Sequence, residues 1–556
     1  MVGVIAQTNE TQIQDHTMNH FSKLFCITTV AIFWHASGEW NNAQDIKPKV
    51  KIGRDTTYVD GPLTKDGYID YIAHFNKVLS DGVTPQNNAA VLLVQTYPGE
   101  ITSEKFMKRF CKALGIKPVP LDGDHYEDLF KFLRRRDGIT ENTTPEERKR
   151  LADKHEAIWK RVMADVWTAE SHPEVKEWLD ENKKHFDTVR RASLRKRYYH
   201  PMLSDDDDDS TMLIAVLLPQ IQSSREYARA LTIRSNYYLG IGENEKCVED
   251  ILTMRRLGNL IAQGGTLVEQ LVGIAILGIA QSVEERVALS GKLTSKELLA
   301  YRAKMSKTRA ASNVLKSFNE FERLTYLDSV QQVMKGGMRS LNLMMGGGET
   351  QQTRMKELLD RVVTSSTDWT VTMQIGNKMF DKFSDTLNTD DWIERGKAMA
   401  SMEEELKKMS ASIDTTTAIQ AFLGGPEFRG KMMGRIFVSL LMPALSAVTE
   451  AEHRAQISDD LSYFVLSIAA FKDEVGRYPN SLGELSEKID GNYPIDRYSN
   501  KDFLYRSNGD GFIVYSVGKN GKDNNGDGVF NEKYSNNTDD FGRGYQSSKP
   551  PENAAK

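Results

Sequence analysis

Cysteine is scarce: three residues in 556, with no C-x-x-C pair. A disulfide framework is therefore excluded, and only Cys111 and Cys247 remain as a pair that could join, or stay free, once Cys26 is set aside in a leader segment. The ten histidines are scattered without metal-ligand spacing. The nearest approach to H-E-x-x-H, at His155-Glu156, has Trp159 where the second histidine should stand. No G-x-S-x-G elbow, phosphate-binding P-loop or dinucleotide-type glycine turn occurs. Acidic neighbours such as Asp459-Asp460 and Glu284-Glu285 point about 100° apart on a helix, so neither pair reads as a general acid and base. The net charge is only −5, which removes any global attraction to nucleic acid or anionic lipid. A non-catalytic protein is the main expectation. A hydrolase site assembled between helical subdomains is the alternative from a different class.

What is present is a long chain of ordinary globular composition, 40% hydrophobic and 27% charged. Single cores stop growing at about 250–300 residues, so about two to four domains are expected. Near the start, Lys23 precedes an apolar run from Leu24 to Trp34, followed by the small residues Ala36-Ser37-Gly38. That is the layout of a secretory signal peptide over 18–38, behind a polar extension that begins at Met1. The run is shorter than the about 20 residues a bilayer span needs. A buried N-terminal helix and an uncleaved anchor are the other readings. Export to the periplasm, cell envelope or exterior follows from the first, with no stable membrane span after cleavage.

A linker is expected over 39–63 and a helical domain over 64–203. In "DGYIDYIAHFNKVL" Tyr68, Ile69, Ile72, Phe75, Val78 and Leu79 make one helical face. Thr84-Pro85 and Thr144-Pro145 look like helix starts, the second with Glu147 in capping-box position. The basic run "VRRASLRKRYYH", 189–200, is either an anion patch or a solvated helix end. The aspartates of 204–210 mark a linker. A central helical domain follows over 211–448. Its segment Arg225–Gln263 resembles one tetratricopeptide-type helical hairpin, turning at 240–244, without a second copy. Leu271–Ala280 is almost wholly apolar and reads as a buried core helix. Met334, Met338, Met344 and Met345 read as adaptable core or as a groove for apolar ligands.

The last region, 449–546, is the most informative, with a disordered tail expected over 547–556. Ile457, Leu461, Phe464, Ile468 and Val475 form a helical face closed by Gly476. Tyr478-Pro479 breaks the chain, Ser481 and Glu484 start a short helix, and 502–506 and 511–517 read as a hairpin around Gly509. Arg477, Tyr478, Pro479, Pro494, Asp496, Asn500, Tyr505, Tyr515, Ser516, Gly518, Gly521 and Asp527 occur in the order long helix, "YP", "P-x-D-x-x-x-N", aromatic hairpin, polar loop. In that order the region resembles the periplasmic head of type II secretion major pseudopilins. The resemblance implies a small α+β head ending in a calcium-binding loop, and a possible place as an accessory subunit docking to secretion-system proteins. No prepilin-processing motif is present, so it extends to the head fold and not to the filament. The overall expectation is a mainly α-helical chain with this small module at its end.

Calcium takes about six to eight oxygen ligands, which short acids and amides alternating along a loop can supply. Asp523, Asn525 and Asp527 fall at positions 1, 3 and 5 of an EF-hand-like run, Val529 at 7 and Asn531 at 9, but Tyr534 stands at position 12 where Glu is required. A pseudopilin-type site would instead close with Asp539 or Asp540. The other reading is a polar, glycine-rich surface loop without metal. The leading functional expectation is an exported binding or scaffold protein with an unidentified protein partner and a calcium-stabilised terminal module.

Overall fold

The computed structural model describes residues 50–99, 101–204, 213, 219–309, 314–337, 340, 364–389, 391–412, 424–442, 444–507, 511–526, 529 and 539–545. The signal peptide of 18–38, the aspartates 205–209, Met338, Met344, Met345, Asp527, Asn531 and the tail 547–556 lie outside them.

The chain is mainly helical, with a small antiparallel sheet near its C-terminus. The first helices are α1 (Tyr71–Leu79), α2 (Ala89–Thr96), α3 (Glu104–Ala113), α4 (Leu129–Arg136), α5 (Pro145–Ala164), α6 (Pro173–Glu181) and α7 (Lys183–Ser193). α1 starts later than its apolar pattern because Asp70 caps it, accepting from Ala73 N at 2.8 Å. Tyr68 and Ile69 are buried ahead of the cap, whereas Val78 is exposed. α2 starts four residues after the expected Pro85. Asn88 takes the cap instead: its Oδ1 accepts from Ala90 N and Tyr199 N, and its Nδ2 donates to Tyr199 O. Thr84 is left in a turn with Asn87. Thr144 caps α5 as expected, through Glu147 N at 3.2 Å, while the Glu147 carboxylate turns to Arg150.

The central helices are α8 (Pro219–Gly240), α9 (Asn244–Ile261), α10 (Leu267–Leu289), α11 (Ser295–Met305), the short α12 (Val314–Ser317), a π-turn at Phe318–Glu322, and α13 (Arg323–Gly336). α8 and α9 form the expected hairpin. Gly258 of α9 and Gly273 of α10 let those two backbones touch: a Cβ on Gly258 would lie 2.9 Å from Gly273 O. α10 is long and apolar enough to cross a membrane by length and composition, yet it is mostly buried in the bundle. Its Thr266–Glu269 capping box is complete. Met334 is buried core. Cys111 and Cys247 are free and buried, on α3 and α9.

α14 (Trp369–Leu387), α15 (Trp392–Ala411) and α16 (Pro426–Leu441) precede α17 (Ala444–Val475), the longest helix, which runs through the expected division at 448/449. Ile457, Leu461, Phe464 and Ile468 are buried as their spacing requires, although Val475 at the end is exposed. The opposite side of α17 is buried too, Asp459, Asp460 and Ser467 included. One side meets α10 and α11, and the sheet lies on another. Gly476 closes the helix at φ 83°. Ser481 caps α18 (Leu482–Lys488) through Glu484 N. β1 (Ile495–Asp496) then pairs with β2 (Lys501–Asp502), and β3 (Leu504–Ser507), β4 (Phe512–Ser516) and β5 (Phe541–Tyr545) form an antiparallel sheet in that order. β3 and β4 are the expected hairpin, with Leu504 opposite Tyr515.

Candidate cation site in the C-terminal module

Asp496 explains the P-x-D-x-x-x-N spacing. Buried after Pro494, its carboxylate accepts from Tyr498 N at 3.1 Å, Ser499 Oγ at 3.0 Å, Ser516 Oγ at 2.7 Å and Val517 N at 3.3 Å. One side chain thus fixes the turn and ties it to the end of β4. Asn500 closes the turn at φ 53°, a backbone region that asparagine tolerates better than most residues. Tyr505 donates to Pro479 O at 2.8 Å, locking the "YP" break beneath β3.

The polar loop leaves β4 at Ser516. Gly518, at φ 66°, passes so close to Asp539 that a Cβ would lie 2.2 Å from its carbonyl oxygen. Two acids then clip the loop from below. Asp539 Oδ2 accepts from Asn520 N at 2.7 Å, and Asp540 Oδ2 accepts from Asn524 N at 2.9 Å and Gly526 N at 2.8 Å. The second oxygens, Asp539 Oδ1 and Asp540 Oδ1, are buried without a hydrogen-bond partner among the described residues, and Asp540 as a whole is only 2% exposed. A buried acceptor left unpaired costs about 1–3 kcal/mol, more if charged. Burial pushes the Asp540 carboxyl above the usual carboxylate range, the carboxylates of Asp523 and Asp539 add to that, and the Gly526 and Asn524 N–H groups oppose it.

Of the residues at the EF-hand-like positions, Asp523, Asn525 and Val529 are described, and they are engaged elsewhere. Asp523 Oδ1 accepts from Tyr515 OH at 3.0 Å and Asn525 N at 2.8 Å, and its Oδ2 lies 3.6 Å from Arg506 Nη2. Asn525 Oδ1 accepts from the same Nη2 at 2.8 Å. Val529 donates its N–H to Gly526 O at 3.0 Å. Among the described residues no three His, Cys, Asp or Glu side chains converge in the manner of a metal site. The structure therefore brings Asp523, Asp539 and Asp540 into one electrostatic neighbourhood. It gives Asp523 and Asn525 to Arg506, and it leaves one oxygen each on Asp539 and Asp540 without a partner among the described residues. Arg506 carried no motif; its alternation on β3 was the only available signal.

The adjacent acids of α10 and α17 serve as ion partners. Arg255, fully buried, binds Glu284 at 3.1 Å and Asp459 at 2.8 Å, while Tyr301 OH donates to Glu284 at 2.8 Å and Gln281 to Asp459 at 2.6 Å. Asp460 pairs with Arg309 and Arg497, and Glu285 with Arg543. His155 lies against Asp137 at 2.9 Å. A groove of about 800 Å³ between α2 and α7 is lined by the cations Lys184, Arg190 and Arg191 together with His185 and one carboxylate, Asp187. The later arginines of the basic run, Arg195 and Arg197, donate to the carbonyls of Pro85 and Asp81. No family model matches this chain, and neither a curated protein nor a solved structure matches it.

Proposed function

We propose that this is an exported, non-catalytic binding or scaffold protein whose C-terminal module is clamped by calcium. The observation that carries the calcium reading is the pair of buried oxygens on Asp539 and Asp540 that have no hydrogen-bond partner among the described residues, beneath an acidic, amide-rich loop. Their donor type, hard carboxylate oxygen, suits calcium. Asp539 and Asp540 would hold the ion, and the ion would supply a positive charge beside these two carboxylates, as Arg506 does beside Asp523. Asp523 contributes charge nearby and leaves its oxygens to Arg506 and Tyr515. The export reading is supported by the Lys23, Leu24–Trp34, Ala36-Ser37-Gly38 layout of the sequence.

Sites in extracellular modules bind calcium at about 10⁻⁴–10⁻³ M. A ligand binding only the folded state at about ten times its dissociation constant stabilises by about 1.4 kcal/mol. Isothermal titration of calcium into the full chain tests the reading. Saturable binding in this range that disappears in Asp540→Asn is expected. Absence of binding at millimolar calcium would overturn the clamp.

A further inference from the structure

β5 starts at the residue after Asp540 and holds two structures together. On one edge it pairs with β4 along its length, from Phe512 opposite Tyr545 to Ser516 opposite Phe541. Its other contacts reach the helical body. Arg543 Nη2 donates to Ser458 Oγ of α17 at 2.8 Å, Arg543 Nη1 lies 3.4 Å from Glu285 Oε2 of α10, and Gly544 N donates to Glu285 Oε1 at 3.2 Å. The Arg454 guanidinium stands 4.9 Å from the Phe541 ring.

The strand has little grip of its own. Gly542 and Gly544 bring no side chain to pack, and glycine inside a strand weakens it. Phe541 is only half-buried and Tyr545 is exposed. Its seat therefore depends on the β4 ladder, on Glu285 and on the anchor at Asp539 and Asp540. That anchor is the place where two carboxylates stand side by side and two of their oxygens lack partners among the described residues.

Resting on the calcium reading above, we infer that the Asp539–Asp540 site is a latch: an ion bound there sets β5 against Glu285 of α10 and Ser458 of α17, and its loss unseats the strand. Calcium then controls whether the terminal sheet is fastened to the helical body and whether the β4 edge is covered. The coupling is reciprocal, because whatever loosens β5 must weaken the ion by the same factor.

Hydrogen exchange on the full chain, with calcium or with a chelator, tests this beside calcium titrations of the wild type and of Glu285→Ala. Exchange across 541–545 should speed about tenfold or more on chelation, while α9 keeps its protection. Glu285→Ala should loosen 541–545 in saturating calcium and weaken calcium binding several-fold, which a merely structural Glu285 would not do. Calcium binding without any change across 541–545, or unchanged affinity in Glu285→Ala, would overturn the latch and leave the clamp standing. No calcium binding at all would overturn both.

Discussion

Arg255→Ala should destabilise the protein more than any surface substitution, and it should do so in a pH-dependent way. The guanidinium is fully buried and shared by two carboxylates that are themselves 1% exposed, Glu284 and Asp459. It also donates to Thr308 Oγ1 at 3.0 Å and Thr308 O at 3.1 Å. Truncation takes the shared guanidinium from two buried carboxylates, with Tyr301 OH still donating to Glu284 and Gln281 to Asp459. Removing one partner of a buried pair costs about 3–5 kcal/mol, and here the loss falls where α9, α10, α11 and α17 meet. The Glu284 carboxyl, already pushed up by burial and no longer opposed by the guanidinium, would relieve itself by taking up a proton. The cost should therefore be largest at about pH 8 and smaller at about pH 5, where protonation in the folded state is easier. Chemical denaturation followed by circular dichroism at both pH values measures it. A triple variant, Arg255→Met with Glu284→Gln and Asp459→Asn, should recover much of the stability, because the fully neutral site carries no unpaired charge. A cost below about 1 kcal/mol, or one independent of pH, would refute the assignment of this cluster as the weld between the terminal helix and the central bundle.

Burial raises the Glu269 carboxyl from 4.5 to about 7 and that of Asp328 from 3.8 to about 6. Their stabilisation is thus fully present below the unfolded values and is lost as pH rises through the folded ones, so Glu269→Gln should flatten the fall in stability between about pH 5 and pH 8. Buried His200, pushed down from 6.5 to about 3, acts oppositely: its share is present above 6.5 and is lost as pH falls, as acid titrations of melting temperature in His200→Phe would reveal. Asp496→Ala removes four hydrogen bonds and should cost about 2–4 kcal/mol by denaturant titration, whereas a cost within experimental error would contradict its role as the fastener of the β1–β2 turn. Cys247, buried and with its thiol pushed up to about 12, should resist thiol reagents until the chain unfolds, a point that labelling followed by mass spectrometry decides.

Helix starts were legible at Thr144 before α5 and Ser481 before α18, where an apolar stripe meets a capping residue. The hairpin of β3 and β4 was legible from its aromatic and β-branched runs. β5 was not, because "FGRGY" carries no apolar alternation; its strand conformation comes from the β4 ladder and from Glu285, some 250 residues away in the chain. The start of α2 was misplaced because Asn88 is chosen as cap by its partner Tyr199, which local sequence cannot reveal. The acidic loop showed its composition but not its internal pairing. Arg506 claims Asp523 and Asn525, so among the described residues Asp539 and Asp540, rather than Asp523, hold the unpartnered oxygens. The neighbouring acids of α10 and α17 pair with arginines on other helices and in the terminal module, beyond the reach of periodicity.

Thermal unfolding of the full chain in millimolar calcium and in chelator, for the wild type and Asp540→Asn, bears most directly on the clamp. Because α17 packs on α10 and α11, the whole chain and not an excised module is the right sample. Calcium at about ten times its dissociation constant should raise the wild-type midpoint by about 1 °C and leave Asp540→Asn unmoved. Identical wild-type midpoints under the two conditions would contradict it.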